Sequence, residues 1–175
     1  MLESRLNPLS RRRLMMFAAA AFLIAATAIV TAWGFQLIGG YMPCPLCLEQ
    51  RVPYYVGIPI VLLTVWLASV GRVRGARILL FAFALVMAYG AYLGIYQAGA
   101  EWGFWQGPTD CATADTSVRD AGSLLKTLGD THIVSCTEPA LRVLGLSFAG
   151  WNAVVSLLLV AIGLLGALGR RERTR

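Results

Sequence analysis

The sequence predicts an all-α membrane protein, a bundle of four transmembrane helices with both termini in the cytoplasm. Of the 175 residues, 58% are hydrophobic and 14% are charged, and the mean hydropathy is +0.67. Soluble domains carry about 45–50% apolar and 25% charged residues, so the composition excludes an ordinary soluble domain. The length fits a single integral membrane domain over residues 1–175.

The charged residues leave four long uncharged windows. Each window can hold a helix of about 20 residues, the length that crosses a bilayer. Strands of a β-barrel would instead alternate polar and apolar residues over about ten positions. A cleaved signal has an apolar region of about 7–15 residues, which is shorter than the first window. The uncharged windows predict helices at 14–38, 52–70, 78–97 and 147–168.

The distribution of Lys and Arg predicts the orientation. Eleven of the fifteen basic residues lie in the N-terminal segment, in the link between the second and third helices, and at the C-terminus. By the positive-inside rule these three segments face the cytoplasm. The links at 39–51 and 98–146 then face the periplasm. The net charge of +6 is therefore explained by the topology and by attraction to anionic lipid headgroups, and not by binding of nucleic acid.

All four cysteines fall in the two predicted periplasmic links. Cys44 and Cys47 form a Cys-Pro-Leu-Cys motif, while Cys111 and Cys136 lie 25 positions apart. The periplasm is oxidising, so both pairs can form disulfides. A zinc site is disfavoured because its ligands come as two close pairs. A purely structural bridge between Cys111 and Cys136 remains an open alternative.

The Cys44–Cys47 pair has the pattern of a redox centre. Two cysteines this close are typical of redox motifs, and their small ring constrains too little chain entropy to serve stability. Cys47 is expected where the second spanning helix begins, and free backbone N–H groups there favour a thiolate. Arg51 follows one helical turn later, so its guanidinium can face that thiolate or an oxygen acceptor. The alternative is that Arg51 only anchors the helix at the membrane interface.

Two redox pairs, one at the lipid boundary and one in an exposed link, suggest an electron relay. Thiol–disulfide exchange moves two electrons between dithiols through mixed disulfides. A quinone dissolved in the bilayer accepts two electrons and two protons, which fits this two-electron transfer. The single histidine excludes any site that needs several imidazole ligands.

At these residues the chain resembles the bacterial disulfide bond formation protein B (DsbB) family. The resemblance covers nearly the whole chain and is most specific in Cys-Pro-Leu-Cys-Leu-Glu-Gln-Arg, from Cys44 to Arg51. Gln36, the tract from Tyr96 to Cys111, Ser135-Cys136 and Gly150-Trp151-Asn152 also match. One departure is Gln97, where many relatives have a histidine.

The resemblance implies a thiol:quinone oxidoreductase of the bacterial inner membrane. Reduced DsbA, a periplasmic thioredoxin-fold oxidase, would attack the Cys111–Cys136 disulfide and form a mixed disulfide with Cys111. Electrons would pass to Cys44–Cys47, and the Cys47 thiolate would face the quinone. Arg51 is implied as the main quinone ligand, with Gln36 and Gln97 as further candidates. Both ubiquinone and menaquinone fit.

Three other functions fit the sequence less well. A vitamin K epoxide reductase-like oxidase also has four helices and a quinone substrate, but its loop cysteines precede its Cys-x-x-Cys pair. A non-catalytic four-span scaffold with a stapled outer loop leaves Cys44, Cys47 and Arg51 unexplained. An ion-coupled transporter needs an intramembrane charge, and the four predicted spans contain none.

Overall fold

The computed structural model describes residues 8–107, 139 and 141–169. The helices are α1 (Pro8–Leu37), α2 (Pro45–Glu49), α3 (Val52–Ser69), α4 (Val73–Glu101) and α5 (Phe148–Leu168). A two-stranded antiparallel hairpin, β1 (Arg142–Val143) and β2 (Leu146–Ser147), precedes α5. The predicted site residues Cys111 and Cys136, and the C-terminal residues 170–175 with their four arginines, lie outside the described part.

Four helices are long and apolar enough to cross a membrane, as the sequence predicted. These spans are Arg11–Leu37, Pro45–Ser69, Val73–Glu101 and Phe148–Leu168. α1 begins at Pro8, before its predicted start at 14, and α4, which was predicted at 78–97, is longer at both ends. The prediction stopped short of charged residues such as Arg77 and Glu101. A helix continues through such residues near its ends, where long side chains can reach water.

The bundle core lies where α4 packs between α3 and α5. Phe83, Leu80 and Met87 of α4 are fully buried there, together with Val61 of α3 and Leu159 of α5. α1 completes the bundle by packing against α3 and α5. Its buried positions are mostly alanines, which permit close approach of membrane helices.

The contact between α4 and α5 depends on glycine. A Cβ atom at Gly94 would lie 2.8 Å from the backbone nitrogen of Ala153 and 3.0 Å from the carbonyl oxygen of Ala149. A Cβ at Gly163 would lie 2.9 Å from the Cβ of Ala84. Because the obstacles at Gly94 are backbone atoms, no side-chain rotation can relieve the clash.

We expect Gly94→Ala to destabilise the bundle by about 1–3 kcal/mol, the usual range for overpacking. The matched control is Gly34→Ala in α1, where nothing lies within 4 Å of the added Cβ. That control should be neutral or slightly stabilising, since alanine favours helices. Unfolding midpoints in detergent measure both. Equal midpoints for the two variants would contradict the close contact.

Two features at one end of the bundle frame the site. The link after α1 turns at Gly40, whose φ of +70° suits glycine. The hairpin turns through Leu144 and Gly145, which both have positive φ, as a two-residue turn requires. The Ser147 hydroxyl then caps α5 by accepting a hydrogen bond from the Gly150 N–H at 3.1 Å. We call this the disulfide end of the bundle, after the Cys44–Cys47 bond described below.

Candidate redox site

A disulfide joins Cys44 and Cys47 at the start of α2. Cys44 is the N-cap residue of this helix, and its sulfur accepts a hydrogen bond from the Cys47 N–H at 3.2 Å. Pro45 occupies the first turn, where no N–H is needed. Cys47 lies at the start of the second span, Pro45–Ser69, as the sequence predicted, but this span is divided into two helical segments. Cys47 lies in the separate five-residue α2, and Gln50 and Arg51 connect it to α3.

Arg51 is held between two residues of α1. Its Nη1 donates a hydrogen bond to Oε1 of Gln36 at 2.6 Å. Its guanidinium carbon lies 5.4 Å from the centre of the Trp33 ring, a cation–π distance. Arg51 and Gln36, both predicted site residues, are thus in direct contact. The side chain is half-buried and fixed by partners, which exceeds what a simple interfacial anchor requires.

Gln97, on α4, lies against the disulfide. Its Nε2 is 3.5 Å from the sulfur of Cys44 and 3.5 Å from the sulfur of Cys47. The same nitrogen donates to Oε1 of Glu101, at 3.3 Å. Gln97 is buried. The structure therefore brings this predicted site residue to the sulfur atoms themselves.

A chain of buried hydrogen bonds extends from Gln97 into the bundle. Gln50 Nε2 donates to Gln97 Oε1 at 2.6 Å, and Asn152 Nδ2 donates to Gln50 Oε1 at 2.7 Å. The Tyr54 hydroxyl donates to Asn152 Oδ1 at 2.8 Å and lies 3.2 Å from Ser156 Oγ. Every donor in this amide chain (Tyr54, Asn152, Gln50 and Gln97) points toward the disulfide. Such aligned hydrogen bonds polarise and strengthen one another.

Glu101 adds a carboxylate at the same place. Its Oε2 is shielded from solvent and has no hydrogen-bond partner among the described residues. Glu101 and Arg51 are the charged side chains that the described part of the chain contributes to the cavity wall. One acidic and one basic side chain therefore line the same cavity.

A cavity of about 560 Å³ opens beside the disulfide, between α1, α3 and α5. This volume lies in the range of small-molecule sites. Cys44, Cys47, Gln36, Arg51 and Gln97 all line it. The remainder of the wall is mainly apolar and includes Leu23, Ile24, Thr27, Ala28 and Val155. The cavity wall thus combines a disulfide, a few polar groups and a mainly apolar surface.

The sequence located part of this site and missed the rest. The structure brings together Cys44, Cys47, Arg51, Gln36 and Gln97, all of which the sequence predicted. It adds Gln50, Asn152, Tyr54 and Glu101, to which no role was given. Gln50 and Asn152 lie within stretches that already resembled the DsbB family, so the signal for them was present. Cys111 and Cys136 fall outside the residues described.

The fold and the site define a class: a multi-pass helical membrane protein with a dithiol–disulfide pair at one end of its bundle. A family model described as "Disulfide bond formation protein DsbB" matches residues 12–166. The chain belongs to the DsbB family. This membership assigns a disulfide-forming oxidoreductase function, and it favours that function over the scaffold and the vitamin K epoxide reductase-like oxidase.

Individual relatives agree with the family. The chain is 32% identical to "Disulfide bond formation protein B" of Marinobacter nauticus, over 85% of this chain and 89% of the relative. It is 25% identical to "Uncharacterized protein RP370" of Rickettsia prowazekii, over 94% of both chains. No solved structure matches the chain.

Proposed function

We propose that the protein is a thiol:quinone oxidoreductase, which reoxidises a DsbA-like thiol oxidase and passes the electrons to membrane quinone. The observation that carries this proposal is the position of the Cys44–Cys47 disulfide on the wall of an apolar cavity shared with Arg51 and Gln36. A structural disulfide needs no such cavity. A disulfide that exchanges electrons with an apolar molecule does.

The residues present fit a quinone. A quinone has a flat apolar ring with two carbonyl oxygens, which accept hydrogen bonds, and a long apolar tail. Arg51, Gln36 and Gln97 supply polar contacts at the disulfide end of the cavity. Leu23, Ile24 and Ala28 of α1 line an apolar part of the cavity wall that suits the tail. A bound quinone supplies an acceptor for two electrons and two protons.

The cysteines, Arg51 and the apolar wall each have a separate role in the proposed reaction. Cys44 and Cys47 exchange two electrons by opening and closing their disulfide. Arg51, fixed by Gln36 and Trp33, holds a positive charge where a thiolate or a quinone oxygen carries negative charge. The apolar wall excludes water, which strengthens these electrostatic interactions. Ubiquinone and menaquinone both satisfy this arrangement.

Cys111 and Cys136 complete the proposed relay as the pair that meets the soluble partner. A reduced DsbA-like protein attacks their disulfide, and Cys111 forms the mixed disulfide. The resulting dithiol then reduces the Cys44–Cys47 disulfide by thiol exchange. Each exchange breaks one S–S bond and forms another, so two electrons move inward at every turnover.

The proposed location is the bacterial inner membrane, with both termini in the cytoplasm and the disulfide end at the periplasm. The bias of Lys and Arg toward the opposite end supports this orientation. The whole chain, residues 1–175, acts as one membrane domain in this proposal. An impermeant thiol reagent added from outside the inner membrane should label all four reduced cysteines. Labelling from the cytoplasmic side alone would show that the true orientation is the opposite one.

The decisive experiment is turnover by the purified protein. Reconstituted in liposomes with a ubiquinone or a menaquinone, it should oxidise a reduced thioredoxin-fold partner and reduce one quinone for each disulfide formed. Quinone absorbance and partner thiols are followed together. Partner oxidation that continues at the same rate without quinone or oxygen would refute the proposed electron acceptor.

Replacing Cys136 with Ala should trap the oxidised partner on Cys111. The Cys111 thiolate attacks the disulfide of the partner, which breaks that S–S bond and forms the mixed disulfide, and the Cys136 thiol that would otherwise resolve the adduct is absent. Non-reducing gels should show an adduct that disappears on reduction. The matched control is the double variant Cys111→Ala, Cys136→Ala, which should form none. An equally strong adduct in this control would show that the partner bonds to a cysteine other than Cys111.

A further inference from the structure

The amide of Gln97 is oriented from both of its ends. Its Oε1 accepts the Gln50 N–H at 2.6 Å, and its Nε2 donates to the Glu101 carboxylate at 3.3 Å. An amide turned by 180° would lose both contacts and place its oxygen against the sulfurs. The surrounding residues therefore hold Nε2 3.5 Å from both sulfurs, while Oε1, which is engaged by Gln50, lies farther away at 3.8 Å from the Cys47 sulfur.

Gln50 can orient the Gln97 amide only because its own amide is also held in one orientation. Its Oε1 accepts from Asn152, so its Nε2 is left to donate to Gln97. Asn152 is fixed the same way, since its Oδ1 accepts from the Tyr54 hydroxyl. Gln50 is buried, which makes an unsatisfied or reversed amide costly. The orientation of the Gln97 amide beside the disulfide thus depends on Asn152 of α5 and Tyr54 of α3.

We infer that Gln50 and Asn152 are positioning residues for the redox site, which hold the Gln97 N–H that is not donated to Glu101 toward the sulfurs and thereby stabilise the thiolate of the reduced pair. Opening the disulfide takes two electrons and one proton: the S–S bond breaks, one S–H bond forms and one sulfur stays negative. A hydrogen bond to an ionised acceptor is about twice as strong as one between neutral groups. The inference rests on the proposed function, in which a thiolate of this pair reduces the quinone.

Other charged and titratable groups also act on the pair. Glu101 faces it from α4, Arg51 from the junction of α2 and α3, and Tyr54 from α3. Glu49 lies on α2 itself, with its side chain exposed. A neutral substitution at Gln50 leaves all these charges in place. A change in thiolate stability in such a variant is then caused by the loss of the Gln50 amide and not by a change in a neighbouring charge.

The test uses the full-length chain without quinone, with Cys47 as its only cysteine (Cys44→Ser, Cys111→Ala, Cys136→Ala). The rate of alkylation by iodoacetamide is measured against pH, because the thiolate is the reactive form. We expect Gln97→Met to slow alkylation at neutral pH by about tenfold, the size of a lost hydrogen bond to a charged group. Gln50→Met should slow it severalfold, with the half-maximal rate at higher pH.

A double-variant cycle separates positioning from general damage. If Gln50 acts through Gln97, then Gln50→Met has no further effect in the Gln97→Met protein. Gln50→Glu has nearly the same shape but no N–H to donate when ionised, so it should shift the profile at least as far as Gln50→Met. Gln106→Glu, at an exposed position, controls for the added charge and should leave the profile in place.

Three results would overturn the inference: an unchanged profile in Gln50→Met, an equal further loss in the Gln97→Met background, or an equal shift in Gln106→Glu. Quinone reduction by the four-cysteine protein is measured in parallel. If the wild type reduces no quinone, the proposed function fails, while the alkylation profiles still decide whether Gln50 positions Gln97.

Discussion

Replacing Cys47 with Ser is expected to lower quinone reduction to the uncatalysed background, a loss of roughly a thousandfold or more, as for other lost nucleophiles. Serine has nearly the same size, so α2 and its contacts should be kept. The hydroxyl cannot form the bond that now joins residues 44 and 47. The chemically reduced protein is mixed with quinone, and quinone absorbance is followed in a stopped-flow instrument.

The same variant should still exchange with the soluble partner through Cys111 and Cys136. This retained activity is the internal control, because a misfolded protein would lose both reactions. Quinone reduction at the wild-type rate in Cys47→Ser would mean that electrons leave by another route. The Cys44–Cys47 pair would then be only a structural bond.

Arg51→His should slow quinone reduction by about tenfold to a few hundredfold. The loss of a charge-assisted hydrogen bond costs about 1.5–3 kcal/mol, and each 1.4 kcal/mol is a factor of ten. Arg51 is also held in place by Gln36 at 2.6 Å, so its orientation is lost together with its charge. Arg51→Lys keeps the charge without the planar fork and should fall between the wild type and Arg51→His.

The matched control for Arg51 is Arg72→His, at an exposed arginine between α3 and α4 at the opposite end of the bundle. It should leave quinone kinetics unchanged. Single-turnover exchange with the soluble partner is measured on all three variants and should be unaffected. An equal slowing of both reactions in Arg51→His would indicate a general structural defect and return Arg51 to the role of an interfacial anchor.

The helices were predictable because hydrocarbon tolerates few charges, so uncharged windows mark the spans. Their ends were less predictable: Arg77 and Glu101 belong to α4, although they lie outside its predicted boundaries at 78 and 97. The break between α2 and α3 was also missed. Local rules placed Cys47 and Arg51 on one continuous helix, whereas Arg51 caps α3.

The pair of cysteines and Arg51 were predictable because their spacing along the chain is short and chemically specific. The amide chain was not, because its members come from three helices and the short link before α3. Gln50 and Asn152 are 102 positions apart and meet only through packing. A lone glutamine or asparagine in a membrane protein has many possible uses. Its partner, which only the fold supplies, decides among them.

Two tryptophans fasten the ends of the connection between α4 and α5. The indole N–H of Trp105 donates to the carbonyl oxygen of Tyr96, and that of Trp151 donates to the carbonyl oxygen of Val143, each at 2.9 Å. The connection therefore leaves and re-enters the bundle at fixed points. Loop-closure entropy grows with the logarithm of length, so doubling a connection changes it by only about 0.6 kcal/mol. A change in length between these two anchors, up to a doubling, is therefore expected to alter the free energy of unfolding of the bundle by only about 0.6 kcal/mol.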